Sequence, residues 1–194
     1  MAKFHRFFEP SALEALASLK GRNWGGYVSL NSNVQGFVDG PVLLVSDTLN
    51  LVLGVEDERF DIADDALHLS YAEISPFQPP WTNRQRGSYA YTQGQGERIE
   101  DVLVVRESLS QTWNGVISFE INVDCGVITV RAGSATSIVK RGFHGEDFFV
   151  SEASSVEGLS FYDSFKEWHE FGAARYEFSR TLIPVGDLLN SNLA

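Results

Sequence analysis

The stretch GVISFEINVDCGVITVRA, residues 115–132, decides the fold. Ile117, Phe119, Ile121 and Val123 alternate with Ser118, Glu120 and Asn122, the period of two that lines one face of a strand. Isoleucine, valine, threonine and phenylalanine suit a half-buried pleated surface. Asp124, Cys125 and Gly126 read as a turn, and residues 127–132 as the returning strand. The segment therefore predicts an antiparallel hairpin with Ile117, Phe119, Ile121 and Val123 facing the core.

Outward from this hairpin the same period recurs. Residues 102–105 read as a buried strand, 136–139 and 147–151 as short ones, and Tyr176, Phe178 and Leu182 lead a final strand toward Pro184. Toward the start, 27–30 is a strand, and 41–46 with 49–55 form a hairpin pivoting near Asp47 and Thr48. Leu67, Leu69 and Tyr71 resume the alternation, and 88–92 adds a short strand. Residues 56–65 read as an acidic connection without β pattern.

Helical spacing occurs twice. Ser11 and Glu14 have the spacing of a capping box, Leu13, Leu16 and Leu19 follow on one face, and Gly21 supplies a stop. Ser164 and Glu167 repeat that spacing, and Phe161, Phe165 and Trp168 share a helical face, which predicts a helix over 163–172. Residues 187–194 read as a polar tail. Helices never alternate regularly with strands, which excludes a doubly wound βαβ sheet. The expectation is an α+β fold: a mainly antiparallel, twisted sheet of about eight strands, with one short helix near each end, in a single domain over 1–194.

Composition agrees. With 194 residues, 43% hydrophobic and 12% aromatic, the chain has enough apolar side chain for a core, and wholesale disorder is excluded. The longest aliphatic runs, 42–45 and 102–105, fall far short of the roughly 20 residues of a membrane helix. Residues 1–9 carry no apolar signal core. Cys125 is the only cysteine, so no intramolecular disulfide and no cysteine cage for a metal can form. A reducing cytoplasm is the expected compartment.

The net charge of −11 is unevenly distributed. Residues 39–73 hold nine acids and one base, Arg59, for −8, and residues 142–194 contribute −6. A field of that sign disfavours nucleic acid, which needs cationic side chains to displace its counterions, and favours a basic protein partner. The segment 75–98 is the other unusual feature. It combines Phe77, Trp81, Tyr89 and Tyr91 with Arg84, Arg86 and Arg98 and has almost no aliphatic residue, a composition suited to interface anchors or stacking.

Motifs for chemistry are scarce. Phosphate-loop, zinc-helix, nucleophile-elbow and EF-hand patterns are missing from the sequence. Gly94 and Gly96 precede a strand rather than a helix, so they frame no pyrophosphate site. Ser137 and Lys140 match Ser-x-x-Lys, but residues three apart on a strand face opposite ways. His144, Glu146 and Asp147 form the most enzyme-like cluster, able to hold a metal or activate water, against the plainer reading of a solvated turn. Cys125, expected at a hairpin tip beside Asp124, is a poor nucleophile because the carboxylate opposes thiolate formation.

The favoured expectation is a non-catalytic acidic protein that neutralises or inhibits a basic macromolecular partner, as immunity and inhibitor proteins do. Its contact residues would be Glu56, Asp57, Glu58, Asp61, Asp64, Asp65, Trp81, Arg84, Arg86, Tyr89 and Tyr91, with no cofactor, metal or membrane. Two alternatives compete: a hydrolase-type enzyme with a dispersed histidine and carboxylate site, and a β-rich module that takes a small ligand, sugar or nucleotide through the 75–98 segment.

Overall fold

β-branched and aromatic residues at alternating positions carry most of the chain into strands. The computed structural model describes residues 1–32, 37–62, 65–76, 89–93, 95–140, 148–159 and 164–191. In order these form β1 (Ala2–Arg6), α1 (Pro10–Ala17), β2 (Trp24–Ser32), β3 (Phe37–Ser46), β4 (Asn50–Ile62), β5 (Asp65–Pro76), β6 (Tyr89–Gln93), β7 (Ile99–Trp113), β8 (Val116–Arg131), β9 (Ser134–Lys140), β10 (Phe148–Ala153), β11 (Phe165–Phe171), β12 (Ala174–Pro184) and α2 (Val185–Ser191). The fold is α+β, mainly antiparallel sheet, with a short helix near each end. Among the described residues no helix is long and apolar enough to cross a membrane.

The hydrogen-bonded path runs β11-β12-β7-β8-β9-β10-β3-β2-β6. The long strand β8 serves two neighbours on one edge. β1 lies parallel to its first half, from Phe119 to Val123, and β9 lies antiparallel to its second half, from Gly126 to Arg131. The sheet also forks at β3. β10 pairs with Phe37 and Val38, whereas β4 pairs from Val42 to Val45. Beyond that point the β4–β5 hairpin leaves the main path.

Two apolar clusters lie on either side of β7 and β8. The first gathers Leu13, Leu16 and Leu19, Trp24, Leu44, Leu51, Leu53, Val104, Val127, and Val185 and Leu188 of α2. The second gathers Phe4, Leu69, Val105, Phe119, Ile121, Val123, Cys125, Ile128 and Val139. Consecutive residues such as Val127 and Ile128 belong to different clusters, so this part of the sheet is buried on both faces.

Several sequence expectations change. The turn expected at 124–126 is not one: β8 runs through it. Val105 pairs with Gly126 and Arg106 with Asp124, so Cys125 is the extra residue of a bulge. Gly126 is needed for close approach, because a Cβ there would stand 2.2 Å from the Ile138 carbonyl oxygen. The hairpin turn is Asn114-Gly115, with φ of 46° and 80°, the paired positive values of the tight turn that Asn-Gly favours. A second bulge, beside Gln111 and Thr112, leaves Ile117 46% exposed, while Phe119, Ile121 and Val123 are buried as expected.

The segment 163–172 is no helix: from Phe165 it is the strand β11, paired with β12 along its length. The second helix, Val185–Ser191, instead begins after the final strand and runs into the expected polar tail, with Val185 and Leu188 docked on the first cluster. The capping box at Ser11 is replaced by Pro10 in the first turn, with Glu9 at the cap making no side-chain bond. The acidic connection 56–65 is largely strand, the distal part of β4 and the start of β5. With twelve described strands rather than about eight, the sheet is larger than the pattern implied.

Candidate functional site

The distal β4–β5 hairpin carries most of the acidic residues singled out from sequence. Its inner face is fixed by packing: the Phe60 ring lies 5.3 Å from Phe4, and Tyr71 6.5 Å from Phe4. Glu58 shares that face and receives Arg6 Nε at 2.8 Å, with a second contact from Arg6 Nη2. The guanidinium lies 4.8 Å from the Phe4 ring centroid and 5.9 Å from that of Tyr71. The Glu58 hydrogen bond also raises the Arg6 pKa, against partial desolvation.

Outside, Arg59 pairs with Asp61 at 2.7 Å, both side chains two-thirds exposed. Glu56 and Asp57 are exposed, and among the described residues no basic group lies within ion-pair distance of either. They stand opposite Tyr71 and Ser70, neither of which carries a charge to match them. One strand thus presents two matched carboxylates and two unmatched ones.

Asp65 stands at the far end of the same hairpin, its backbone paired with Ile62. The expected tyrosine contacts are elsewhere. Tyr89 and Tyr91 lie on β6, paired with Leu30 and Val28 of β2. Two strands, β2 and β3, separate β6 from β4, about 14 Å at the usual strand spacing. The acidic strand and the tyrosine strand are therefore not adjacent. Asp64, Trp81, Arg84 and Arg86 lie outside the described residues, as do His144, Glu146 and Asp147.

A polar network that sequence reasoning missed lies on the open face of β1, β7 and β8. Ser108 Oγ donates to Asn122 Oδ1 at 2.5 Å, and Asn122 Nδ2 donates to Glu120 at 2.9 Å and lies 3.1 Å from His5 Nε2. The Asn122 bond, helped by the charges of Lys3 and His5, holds the Glu120 carboxyl below its ordinary pKa. Arg106 makes two bonds to the buried Asp124, at 2.7 and 3.1 Å, and stacks 4.0 Å from the Phe7 ring. Asp124 also accepts the Phe8 amide at 2.8 Å. A cleft of about 550 Å³ opens beside these groups, lined in part by His5, Phe7, Glu9, Leu13, Arg106 and Leu188. Apart from Glu120 and Asn122, two positions apart on β8, the partners are separated by 14 to 117 positions in the chain, so no local pattern announces them.

Ser108 donates to the Asn122 amide rather than to an imidazole, so among the described residues no general base is bonded to its hydroxyl. Cys125 is buried, with Sγ 3.4 Å from the Val105 carbonyl oxygen, and not at a tip. Among the described residues no three His, Cys, Asp or Glu side chains are grouped to hold a metal ion. Exposed large hydrophobic side chains also occur near the β7–β8 turn (Trp113, Val116, Ile117) and on the two faces of β11 (Trp168, Phe171). No protein family, curated protein or solved structure matches the chain.

Proposed function

We propose that the chain is a non-catalytic binding protein that takes a basic macromolecular partner on the distal β4–β5 hairpin and so neutralises or inhibits it. The observation that carries this reading is Glu56 and Asp57, both exposed and, among the described residues, without a cation at ion-pair distance, while Glu58 and Asp61 beside them each have one. Unmatched carboxylates repel their neighbours, and a cationic partner relieves that cost on docking. The net charge of −11 steers such a partner from a distance. Packing of Phe60 on Phe4 holds the hairpin rigid enough to present a fixed surface.

The test is capture of partners from source cells by the immobilised chain, at about 50 mM and about 500 mM salt, with Glu56→Gln/Asp57→Asn beside the native chain. A basic protein should be retained at low salt, released at high salt, and lost by the double variant. Retention of the same proteins by the folded variant, with unchanged salt dependence, would remove the hairpin as the docking surface.

A further inference from the structure

β11 ends the sheet, and among the described residues nothing pairs with its outer edge. From Lys166 to Phe171 every residue is exposed, Trp168 at 55% and Phe171 at 69%. An open edge of seven residues with two exposed aromatics is a template for another strand, which sheet proteins ordinarily cover or blunt with charge. The charges here are arranged in one particular order. The edge reads FKEWHEF, and that sequence is complementary to itself in reverse.

We propose that β11 pairs antiparallel with β11 of a second copy of this chain, about a twofold axis through Trp168. In that register Lys166 stands opposite Glu170 of the second copy, Glu167 opposite His169, Phe165 opposite Phe171, and Trp168 opposite Trp168. Directly opposed side chains share a face. One face then holds two Lys–Glu pairs flanking the tryptophans, and the other holds two Glu–His pairs flanked by phenylalanines.

Neighbouring registers lose both Lys166–Glu170 pairs. A slip of one residue in one direction also sets Glu167 against Glu170, and a slip of two in the other sets Glu167 against its own copy. The remaining slips bring Lys166 or His169 against His169, which repel only where the imidazole is protonated. The same charges that repel indiscriminate strand addition therefore select one symmetric partner. Within one copy Glu170 has no cation at ion-pair distance among the described residues, while Lys166 already reaches Glu177 at 3.2 Å and keeps further donors.

The aromatic side chains are held in place before docking. Phe165 packs 5.3 Å from Phe178, Phe171 6.0 Å from Tyr176, and Arg175 lies 5.0 Å from the Trp168 ring. Ordering them on association therefore costs little. The result is one sheet continued through two copies by strand addition. A single strand pair is a small interface, so association depends strongly on concentration.

Sedimentation of the full chain from about 1 µM to about 1 mM measures it. The native chain should dimerise within that range. Lys166→Glu and Glu170→Lys each turn two attractive pairs into repulsive ones, so each should weaken dimerisation about tenfold or more. Mixed in equal amounts, the two variants should associate with each other, because the mixed pair restores both attractions. Trp168→Cys should cross-link to itself under oxidation, since opposed Cα atoms stand about 4.5–5.5 Å apart, within disulfide reach. A native chain that stays monomeric throughout overturns the proposal. So does a dimer indifferent to both reversals, or failure of Trp168→Cys to cross-link.

Discussion

Arg180 and Glu107 face each other across β12 and β7, their side chains 6% and 0% exposed. Both groups are taken from water, and the ion pair between them supplies part of the compensation. Arg180→Leu breaks that pair and should cost about 3–5 kcal/mol, read from urea unfolding at neutral pH. A loss under about 1 kcal/mol would show that the pair carries little of it. On the same sheet, Phe119→Ala should cost about 3–5 kcal/mol because the ring is buried, and Ile117→Ala much less because it is not. Glu120 gives a pH signature. Its carboxyl is held below the ordinary value chiefly by Asn122, so its stabilising contribution is complete above the unfolded carboxylate range, about 4.3, and is lost as pH falls below that through the folded value. Glu120→Gln should flatten the loss of stability in that acid window, with little change near neutrality. Gly126 shows what a residue hides in a sequence. Its identity was legible and its purpose was not, because a turn and a close backbone approach call for the same missing Cβ.

Strand alternation in 115–123 was legible because Phe119, Ile121 and Val123 are buried and the residues between them are less so. The 41–55 hairpin was legible from aliphatic runs that fill both faces, with Val42, Leu43 and Leu44 all buried, and the final strand from the spacing of Tyr176, Phe178 and Leu182. β11 was not, since it lies at a sheet edge where every side chain after Phe165 is exposed, and no buried face imposes a period of two. Its aromatics happened to fall at helical spacing. The hairpin β4–β5 was obscured for another reason: its strand register is set by Phe60 and Glu58 meeting Phe4 and Arg6 of β1, more than fifty positions away. Tertiary contact overrides local preference there. That dependence makes a prediction. Arg6→Gln should speed amide hydrogen exchange in the distal halves of β4 and β5 while β7 and β8 keep their protection. Equal loosening of all four strands, measured by mass spectrometry, would mean that the hairpin has no separate stability.

At the scale of the whole molecule, the fork at β3 separates two tasks. The main path, with α1 and α2 and with Leu51, Leu53, Leu69 and Ala72 of β4 and β5, forms the two clusters, while the distal part of the hairpin carries Glu56, Asp57 and Asp61 outward. The acidic excess of 39–73 was legible from sequence; the matching of Glu58 by Arg6 and of Asp61 by Arg59, which leaves Glu56 and Asp57 as the unmatched carboxylates of β4 among the described residues, was not, since it depends on where the hairpin lands. If Glu56 and Asp57 are kept for a partner, they are a cost to the isolated chain, which already carries −11. Surface changes of this kind are small singly, and for a chain of this size a shift of about 1–3 °C is the expected scale. Glu56→Gln/Asp57→Asn should raise the thermal midpoint by that amount at about 20 mM salt. The gain should vanish near 1 M salt, where the screening length shrinks to about 3 Å. Calorimetry at both salts decides it: a variant no more stable than the native chain at low salt would show that these carboxylates are already compensated, and the argument for a cationic partner on the hairpin would lose its energetic basis.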